Sequence, residues 1–116
     1  MSREPNVSRA GLGGPAAVFA ALGDETRLGI VTRLCTDGPL SIVHLSAGAS
    51  VTRQAVTKHL HVLAAADLVR SRRRGRQRQR VWELKPRRLQ EACRYLEGIS
   101  RQWDSALDRL RAFVEE

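Results

Sequence analysis

The sequence predicts a mainly α-helical domain that carries one small β-hairpin. Apolar residues recur at helical spacing along most of the chain, and capping residues stand where those segments begin. Strand-like residues are confined to positions 68–84. A length of 116 residues corresponds to one domain. Hydrophobic residues make up 42% of the chain, enough for a modest core that a partner subunit would help to complete.

The first residues differ from the rest of the chain. Residues 1–14 are polar, rich in Gly and Ser and without periodicity, so we expect a disordered arm followed by one domain over residues 15–116. This arm lacks the apolar segment of a secretory signal, and no apolar run approaches 18 residues. We therefore expect a cytoplasmic protein without a membrane-spanning helix.

Capping residues predict two helices in the first third of the chain. Pro15 suits the first turn of a helix that ends at Leu22 and is closed by Gly23. Asp24 suits the N-cap of a second helix, which residues 37–39, Asp-Gly-Pro, bring to an end. The apolar positions of this second helix at helical spacing are Leu28, Val31, Leu34 and Cys35.

Two shorter helices joined by a tight turn come next. Ser41 can cap the first, which runs to Ala47, and Thr52 can cap the second, which runs to about Ala65. The second helix has an apolar stripe formed by Val56, Leu60, Leu63 and Ala64. Its opposite face carries Arg53, Gln54, Thr57, Lys58 and His61. This arrangement is typical of a helix-turn-helix.

Residues 68–84 predict a β-hairpin with a basic tip, because strand-like ends flank a run of Arg and Gln around Gly75. The tip arginines have no acidic residue between them, and like charges repel. A phosphate backbone or an A·T-rich minor groove would relieve that repulsion. A merely solvated loop is the alternative, and membrane binding would need an apolar face that the run lacks. The arginines of this run are Arg72, Arg73, Arg74, Arg76, Arg78 and Arg80.

The last helix begins at Pro86 and extends to about Glu115. Its apolar residues follow a seven-residue repeat, as in helices that pack along one another. Gly98 weakens the helix and permits a bend there. The repeat predicts a homodimer. The predicted interface residues are Leu89, Leu96, Ile99, Trp103 and Leu110.

Charge and groove geometry indicate double-stranded DNA as the partner. The formal net charge is +8, which suits a polyanion. Arg53 and Gln54 lie at the helix end that usually meets bases in the major groove, and Lys58 is placed for a phosphate. A solvated polar face is the alternative. The predicted DNA-binding residues are Thr52, Arg53, Gln54, Thr57, Lys58, His61, Arg72, Arg73, Arg74, Arg76 and Arg78.

The sequence offers no metal site and no catalytic constellation. The three histidines are His44, His59 and His61, and no carboxylate or thiol stands at ligand spacing from His59 or His61. Cys35 and Cys93 are expected to fill core or interface space, and a redox switch would require the fold to bring them together. Paired carboxylates, a phosphate-binding glycine loop and a catalytic triad are not identifiable, so we expect neither an enzyme nor a cofactor.

Several of these segments resemble the ArsR/SmtB family of repressors. Residues 21–28 resemble the family's L-x-D-P-T-R-L opening, with glutamate where proline is usual, and residues 50–63 resemble its recognition helix. Asp67-Leu68-Val69 and Gly75-Arg76 resemble the segment after that helix and the wing tip. The resemblance covers about residues 16–115. It implies a winged-helix homodimer that represses its own operon and dimerises through its first and last helices.

The family's sensing sites do not carry over. Its Cys-x-Cys metal motif falls on Ser41 and Val43, and the last helix has no histidine for the other common site. The paired redox cysteines of other members match neither Cys35 nor Cys93. The chain resembles the metal-free branch, whose inducer is often unknown and whose final helix often carries a stretch such as Gln102-Trp103-Asp104. A ligand- or metal-gated sensor, or a winged-helix protein-interaction module, are the alternatives.

Overall fold

The structure, a computed structural model, describes residues 12–47, 50–76 and 79–115. Helices account for most of these residues, and two antiparallel strands form the single sheet. This architecture confirms the predicted fold class. The elements are a π-helical turn, Leu12–Ala16, then α1 (Ala17–Leu22), α2 (Glu25–Asp37), α3 (Ile42–Ser46), α4 (Arg53–Ala65), β1 (Val69–Arg74), β2 (Gln79–Leu84) and α5 (Pro86–Glu115).

Three helices begin where the capping residues predict. Asp24, Ser41 and Thr52 each accept a hydrogen bond from the backbone N–H three residues further on, at 3.0, 3.3 and 3.1 Å. Each cap satisfies an N–H that has no partner within its own helix. The starts of α2, α3 and α4 are therefore encoded locally.

The first helix begins later than the sequence predicts. Pro15 lies inside the π-helical turn, and the regular helix starts at Ala17. The reason is that Gly14 has non-helical dihedral angles, φ −100° and ψ −135°, which interrupt the helical path just before the proline. Residues 1–11 of the predicted arm lie outside the described residues, and residues 12–14 belong to the turn.

The core lies where α1, α2 and α4 meet the hairpin. The stripe predicted for α4 packs there through Val56, Leu60 and Leu63, with Ala64 half-buried at its edge. The buried residues of the core cluster are Val18, Ala21, Ile30, Val31, Leu34, Leu45, Val56, Leu60, Leu63, Leu68, Val69, Trp82 and Ala92.

Two residues of the stripe predicted for α2 are exposed. The helix buries Ile30, Val31 and Leu34, whereas Leu28 and Cys35 are open to solvent. At 3.6 residues per turn, Leu28 and Cys35 lie roughly 100° around the helix from the centre of the buried face. Cys93 of α5 is also exposed, so neither cysteine fills the core of the chain, and their placement in interface space stays a prediction.

The hairpin is joined to the segment before α3. Val69 pairs with Leu84 at its base and Arg74 with Gln79 near its tip. Gly75 takes a φ of +79° in the turn, a conformation that favours glycine. Leu40 forms an isolated bridge to the other edge of β2: its N–H donates to the carbonyl of Trp82 at 3.0 Å, and the Trp82 N–H donates back at 2.8 Å.

Helix α5 is continuous over 30 residues, with no interruption at Gly98. Its N-terminal part packs on the domain through buried Ala92 and half-buried Leu89, and the Tyr95 ring lies 6.2 Å from that of Phe19 in α1. Leu89, predicted at the subunit interface, thus packs largely within its own chain.

Within the part of the chain that the structure describes, no helix is both long and apolar enough to cross a membrane.

Candidate nucleic-acid interface

Helix α4 presents a polar surface opposite its buried stripe. Arg53 and Gln54 are exposed in its first turn, and Lys58 is exposed one turn later. Thr52 does not project freely, because its hydroxyl caps the helix by accepting from the backbone N–H of Ala55. The N-terminal end of α4 therefore offers two side chains with paired hydrogen-bonding groups, the chemistry that reads guanine and adenine edges.

Thr57 and His61, predicted to contact DNA, lie on the side of α4 that faces the hairpin. The Thr57 hydroxyl donates to the carbonyl of Arg53 at 2.9 Å, and its side chain is half-buried. His61 is exposed, and its ring approaches that of Trp82 edge-on with centroids 6.2 Å apart. Both line a groove between α4 and the hairpin.

An arginine of α2 fixes the first helix of the helix-turn-helix. The Nη1 of Arg33 donates to the carbonyls of His44 and Leu45, at 3.1 and 3.2 Å. The last carbonyls of a helix have no partner within it, and a cation there also interacts favourably with the helix dipole. Sequence reasoning missed this contact because its partners are backbone atoms, which leave no residue-type signal.

A second arginine joins the corner between α1 and α2 to α4, the helix that is predicted to read bases. Arg27 Nε donates to the carbonyl of Ala21 at 2.7 Å, and its Nη1 lies 3.4 Å from Nδ1 of His59 in α4. The carboxylate of Asp24 lies 3.9 Å from the same ring nitrogen. The pKa of Asp24 is lowered, chiefly because its carboxylate accepts the hydrogen bond from the Arg27 backbone.

The wing contains an acid that sequence reasoning left out of account. Glu83 of β2 accepts hydrogen bonds from Arg72 and Arg70, and these two contacts lower its pKa. The repulsion expected within the arginine run is therefore already relieved at Arg72 by Glu83, without DNA. The sequence alone does not show this pairing, because Glu83 is seen to lie opposite Arg70 only when the strand register is known.

The remaining arginines of the run predicted for the hairpin, Arg72 to Arg80, differ in their surroundings. Arg74 and Arg76 are exposed at the tip of the hairpin, and Arg73 is exposed on β1. Arg80 donates to the hydroxyl of Ser71 at 2.8 Å. Arg78 lies outside the described residues.

A charged cluster sets the path of the chain from α4 into the wing. Asp67 has a φ of +63° at the turn after α4, in the left-handed region that aspartate tolerates better than most residues. Its carboxylate accepts from Lys85 Nζ and lies 3.5 Å from Arg88 Nε, contacts that lower its pKa, with the Lys85 hydrogen bond the largest cause. The cluster ties the start of the hairpin to its end.

Ser41, which falls on the metal motif of the resembled family, is a helix cap in this structure. Ser41 caps α3, and its hydroxyl lies 2.9 Å from Nδ1 of His44. Among residues 12–47, 50–76 and 79–115, the structure brings together no group of three or more His, Cys, Asp or Glu that could hold a metal ion.

A helix-turn-helix with a basic reading face, followed by a two-stranded basic wing, defines a winged helix-turn-helix DNA-binding protein. Comparison with known proteins agrees. The family described as "Helix-turn-helix domain" matches residues 22–72. The HTH-type transcriptional regulator Rv2034 of Mycobacterium tuberculosis is 41% identical over 93 residues, which cover 80% of this chain and 81% of that protein.

Two further proteins identify the family to which the chain belongs within this class. The solved structure of an ArsR-like transcriptional regulator from Rhodococcus sp. RHA1 is similar with a TM-score of 0.72 and 37% identity, covering 85% of this chain and 91% of that one. The arsenical resistance operon repressor of Escherichia coli is 34% identical over 62 residues, 53% of each chain. The chain belongs to the ArsR family of winged helix-turn-helix proteins and is a DNA-binding transcriptional regulator rather than an enzyme.

Proposed function

We propose that the protein acts in the cytoplasm as a homodimeric repressor of its own operon and binds an imperfect palindromic operator. Arg53 and Gln54 read bases in the major groove, and the wing arginines contact the backbone or the minor groove. The observation that carries this proposal is the apolar face of α5, which the rest of the described residues leave exposed.

That face extends along the outer part of α5. Trp103 is 64% exposed and Phe113 is 77% exposed, values unusual for such large apolar side chains. Contiguous exposed apolar surface on a small protein marks an interaction site. The exposed apolar residues of α5 are Tyr95, Leu96, Ile99, Trp103, Leu107, Leu110, Phe113 and Val114.

A second copy of the chain is the occupant that suits this face. The seven-residue spacing of Leu96, Trp103 and Leu110 is typical of helices that pack along one another. A two-fold dimer brings the same apolar patch of both chains together, so it needs no other partner to bury the patch. A two-fold protein in turn presents two reading helices to DNA, which matches a palindromic site.

The placement of the charged side chains supports different roles for α4, which would read bases, and for the wing, which would contact the DNA backbone or minor groove. Arg53 and Gln54 start α4, which the Arg27–His59 contact ties to the corner between α1 and α2, so the start of this helix is fixed relative to the rest of the domain. Arg74 and Arg76 lie at an exposed hairpin tip, which suits contacts that require charge rather than exact base geometry. Repression follows if the bound dimer excludes the transcription machinery, and the Escherichia coli relative is named as an operon repressor.

The direct test is capture of genomic fragments by the purified full-length protein, followed by sequencing. We expect enriched fragments to share an imperfect palindrome with half-sites about one helical turn, roughly 10 base pairs, apart. Fragments from the promoter of the protein's own operon should be among them. Enrichment without any shared motif would contradict sequence-specific regulation and favour the alternative of a winged helix used as a protein-interaction module.

A further inference from the structure

The wing carries one carboxylate among its arginines, a charge that the proposed function does not use. We propose that Glu83 limits the affinity of the wing for DNA of any sequence, because it neutralises Arg70 and Arg72 and withholds them from phosphates. This inference rests on the proposed contact of the wing with the DNA backbone.

The acid stands alone in a strongly basic segment. Residues 69–84 contain seven arginines and one acidic residue, Glu83. Binding to DNA of any sequence depends on the positive charge that a protein brings to the phosphates. A neutral residue at position 83 would leave the wing with one more unit of positive charge. Glu83 therefore acts against the attraction that the arginines supply.

The carboxylate of Glu83 is shared between two guanidiniums. Its Oε2 accepts from Arg70 Nε at 2.7 Å, and its Oε1 accepts from Arg72 Nε at 2.8 Å. The side chain of Glu83 is 15% exposed, whereas those of Arg70 and Arg72 are 62% and 45% exposed. The acid is thus sheltered, and the cations that it neutralises lie at the surface of the hairpin.

The neutralised arginines lie close to a proposed backbone contact. Arg70, Arg72 and Arg74 alternate along β1, so their side chains share one face of the hairpin. Arg72 stands about 7 Å from Arg74 along the strand. This separation is shorter than the Debye length, about 10 Å at roughly 0.1 M salt. A phosphate at Arg74 is therefore attracted by Arg72 as well, unless an acid neutralises that arginine.

Glu83 and a phosphate compete for the same guanidiniums. Carboxylate and phosphate oxygens both form strong, charge-assisted hydrogen bonds with arginine. A guanidinium has further N–H donors on its Nη atoms, so a phosphate can approach without displacing Glu83, but the neutralised arginine attracts it less. The wing then binds DNA more weakly than its arginine content indicates. This reduces the fraction of the protein held on the many non-specific sites of a genome.

The inference is tested on random DNA, so it does not depend on an operator. Glu83→Gln keeps the size of the side chain and removes its charge. We expect it to raise the affinity for a random duplex about threefold or more at low salt. The fall of log affinity with log salt should steepen by up to about 0.9 for each arginine that gains a phosphate contact. Glu83→Asp, which retains the charge, and Glu97→Gln, which removes a charge from an exposed position of α5, should change this slope little.

Arginine substitutions show whether Glu83 acts through its partners. In the wild-type protein, Arg72→Gln should flatten the salt slope much less than Arg74→Gln, because Glu83 already neutralises Arg72. In the Glu83→Gln background, the two substitutions should flatten it alike, by about 0.9 each. Long-range attraction alone would instead make the effects of Glu83→Gln and Arg72→Gln additive. The wild-type comparison of Arg72→Gln with Arg74→Gln decides the matter if circular dichroism shows that Glu83→Gln does not fold.

Two results overturn this role of Glu83. The first is an unchanged or lower affinity of folded Glu83→Gln for random DNA. The second is an equal loss of slope on Arg72→Gln and Arg74→Gln in the wild-type protein. If Arg74→Gln leaves the slope unchanged as well, the proposed contact of the wing with the backbone fails too. If Arg74→Gln flattens the slope while Glu83→Gln has no effect, the inference about Glu83 fails alone.

Discussion

Glu83 lies directly across the hairpin from Arg70 and accepts a hydrogen bond from its Nε at 2.7 Å. Arg72, two residues further along β1, donates to the other oxygen of the same carboxylate at 2.8 Å. One acid thus holds two of the wing's arginines on the strand. Arg74 and Arg76, which we propose as DNA contacts, lie nearer the tip.

The first prediction concerns the pH dependence of stability. The pKa of Glu83 is lowered from its ordinary value of 4.5, so its contribution is fully present above pH 4.5 and is lost as the pH falls through the lowered value. We expect Glu83→Gln to reduce the free energy of unfolding by up to about 1 kcal/mol at pH 7, as for a partly exposed ion pair. Urea denaturation should show the difference shrinking as the pH falls below 4.5. The same substitution at exposed Glu97 of α5 is the control, and an equal pH-dependent loss there would contradict the assignment.

The second prediction separates base reading from backbone contact. Arg53→Ala or Gln54→Ala should cost about 1–3 kcal/mol on the operator and little on random DNA, because a base contact is lost. Arg74→Ala or Arg76→Ala should weaken binding to both DNAs alike. The wing variants should also reduce the slope of log affinity against log salt, by about 0.9 per lost phosphate contact.

Parallel titrations of the four variants on operator and random duplexes provide the measurement. Glu97→Gln, which changes charge outside both elements, controls for non-specific electrostatic effects. If the wing variants lose specificity while the α4 variants lose only general affinity, the roles of the two elements are reversed.

The third prediction concerns the subunit interface. A buried tryptophan contributes about 150–250 Å² of contact and often anchors an interface. Trp103→Ala should therefore shift the sedimentation equilibrium towards monomer and weaken operator binding with it. A mutant that remains a dimer with unchanged operator affinity would show that α5 does not form the interface.

Leu28 offers a matched control for this interface. It is 48% exposed on α2, and Leu96 is 51% exposed on the apolar face of α5. Leu96→Ala should promote dissociation, whereas Leu28→Ala should leave the dimer intact. Sedimentation of the two variants at the same concentration compares the same chemical change at nearly equal exposure on two faces.

The fourth prediction is that DNA binding needs no transition metal. Ser41 serves as a helix cap where the resembled metal motif has a cysteine. We expect EDTA to leave operator affinity unchanged and elemental analysis to find no stoichiometric zinc. Loss of binding on chelation that added zinc restores would establish the metal-gated alternative.

The parts of the fold that the sequence predicts are those encoded by neighbouring residues. Asp24, Ser41 and Thr52 cap their helices because a short polar side chain can reach a backbone N–H three residues away. The stripe of α4 was also predictable, since its members follow one helical period. The exposure of Leu28 and Cys35 was not, because it depends on which neighbours pack on α2.

In the candidate site, too, the features encoded by neighbouring residues were predictable and those that depend on tertiary packing were not. Arg53 and Gln54 could be placed at the start of a reading helix from spacing alone, although their DNA contacts remain predictions. The contact of Arg27 with His59 joins residues 32 positions apart, and the groove beside Trp82 requires α4 and the hairpin to be placed relative to each other. Long-range geometry of this kind leaves no periodic signal in one sequence.

The bridge between Leu40 and Trp82 has a consequence for how such a regulator changes over generations. Both of its hydrogen bonds run between main-chain atoms, so replacement of either side chain, by anything but proline, keeps the donors and acceptors in place. The wing can therefore exchange many of its surface residues and stay attached to the segment that leads into α3. Descendants of this protein can therefore change the charge of the wing, and with it the general DNA affinity that we propose for it, while they inherit the same frame.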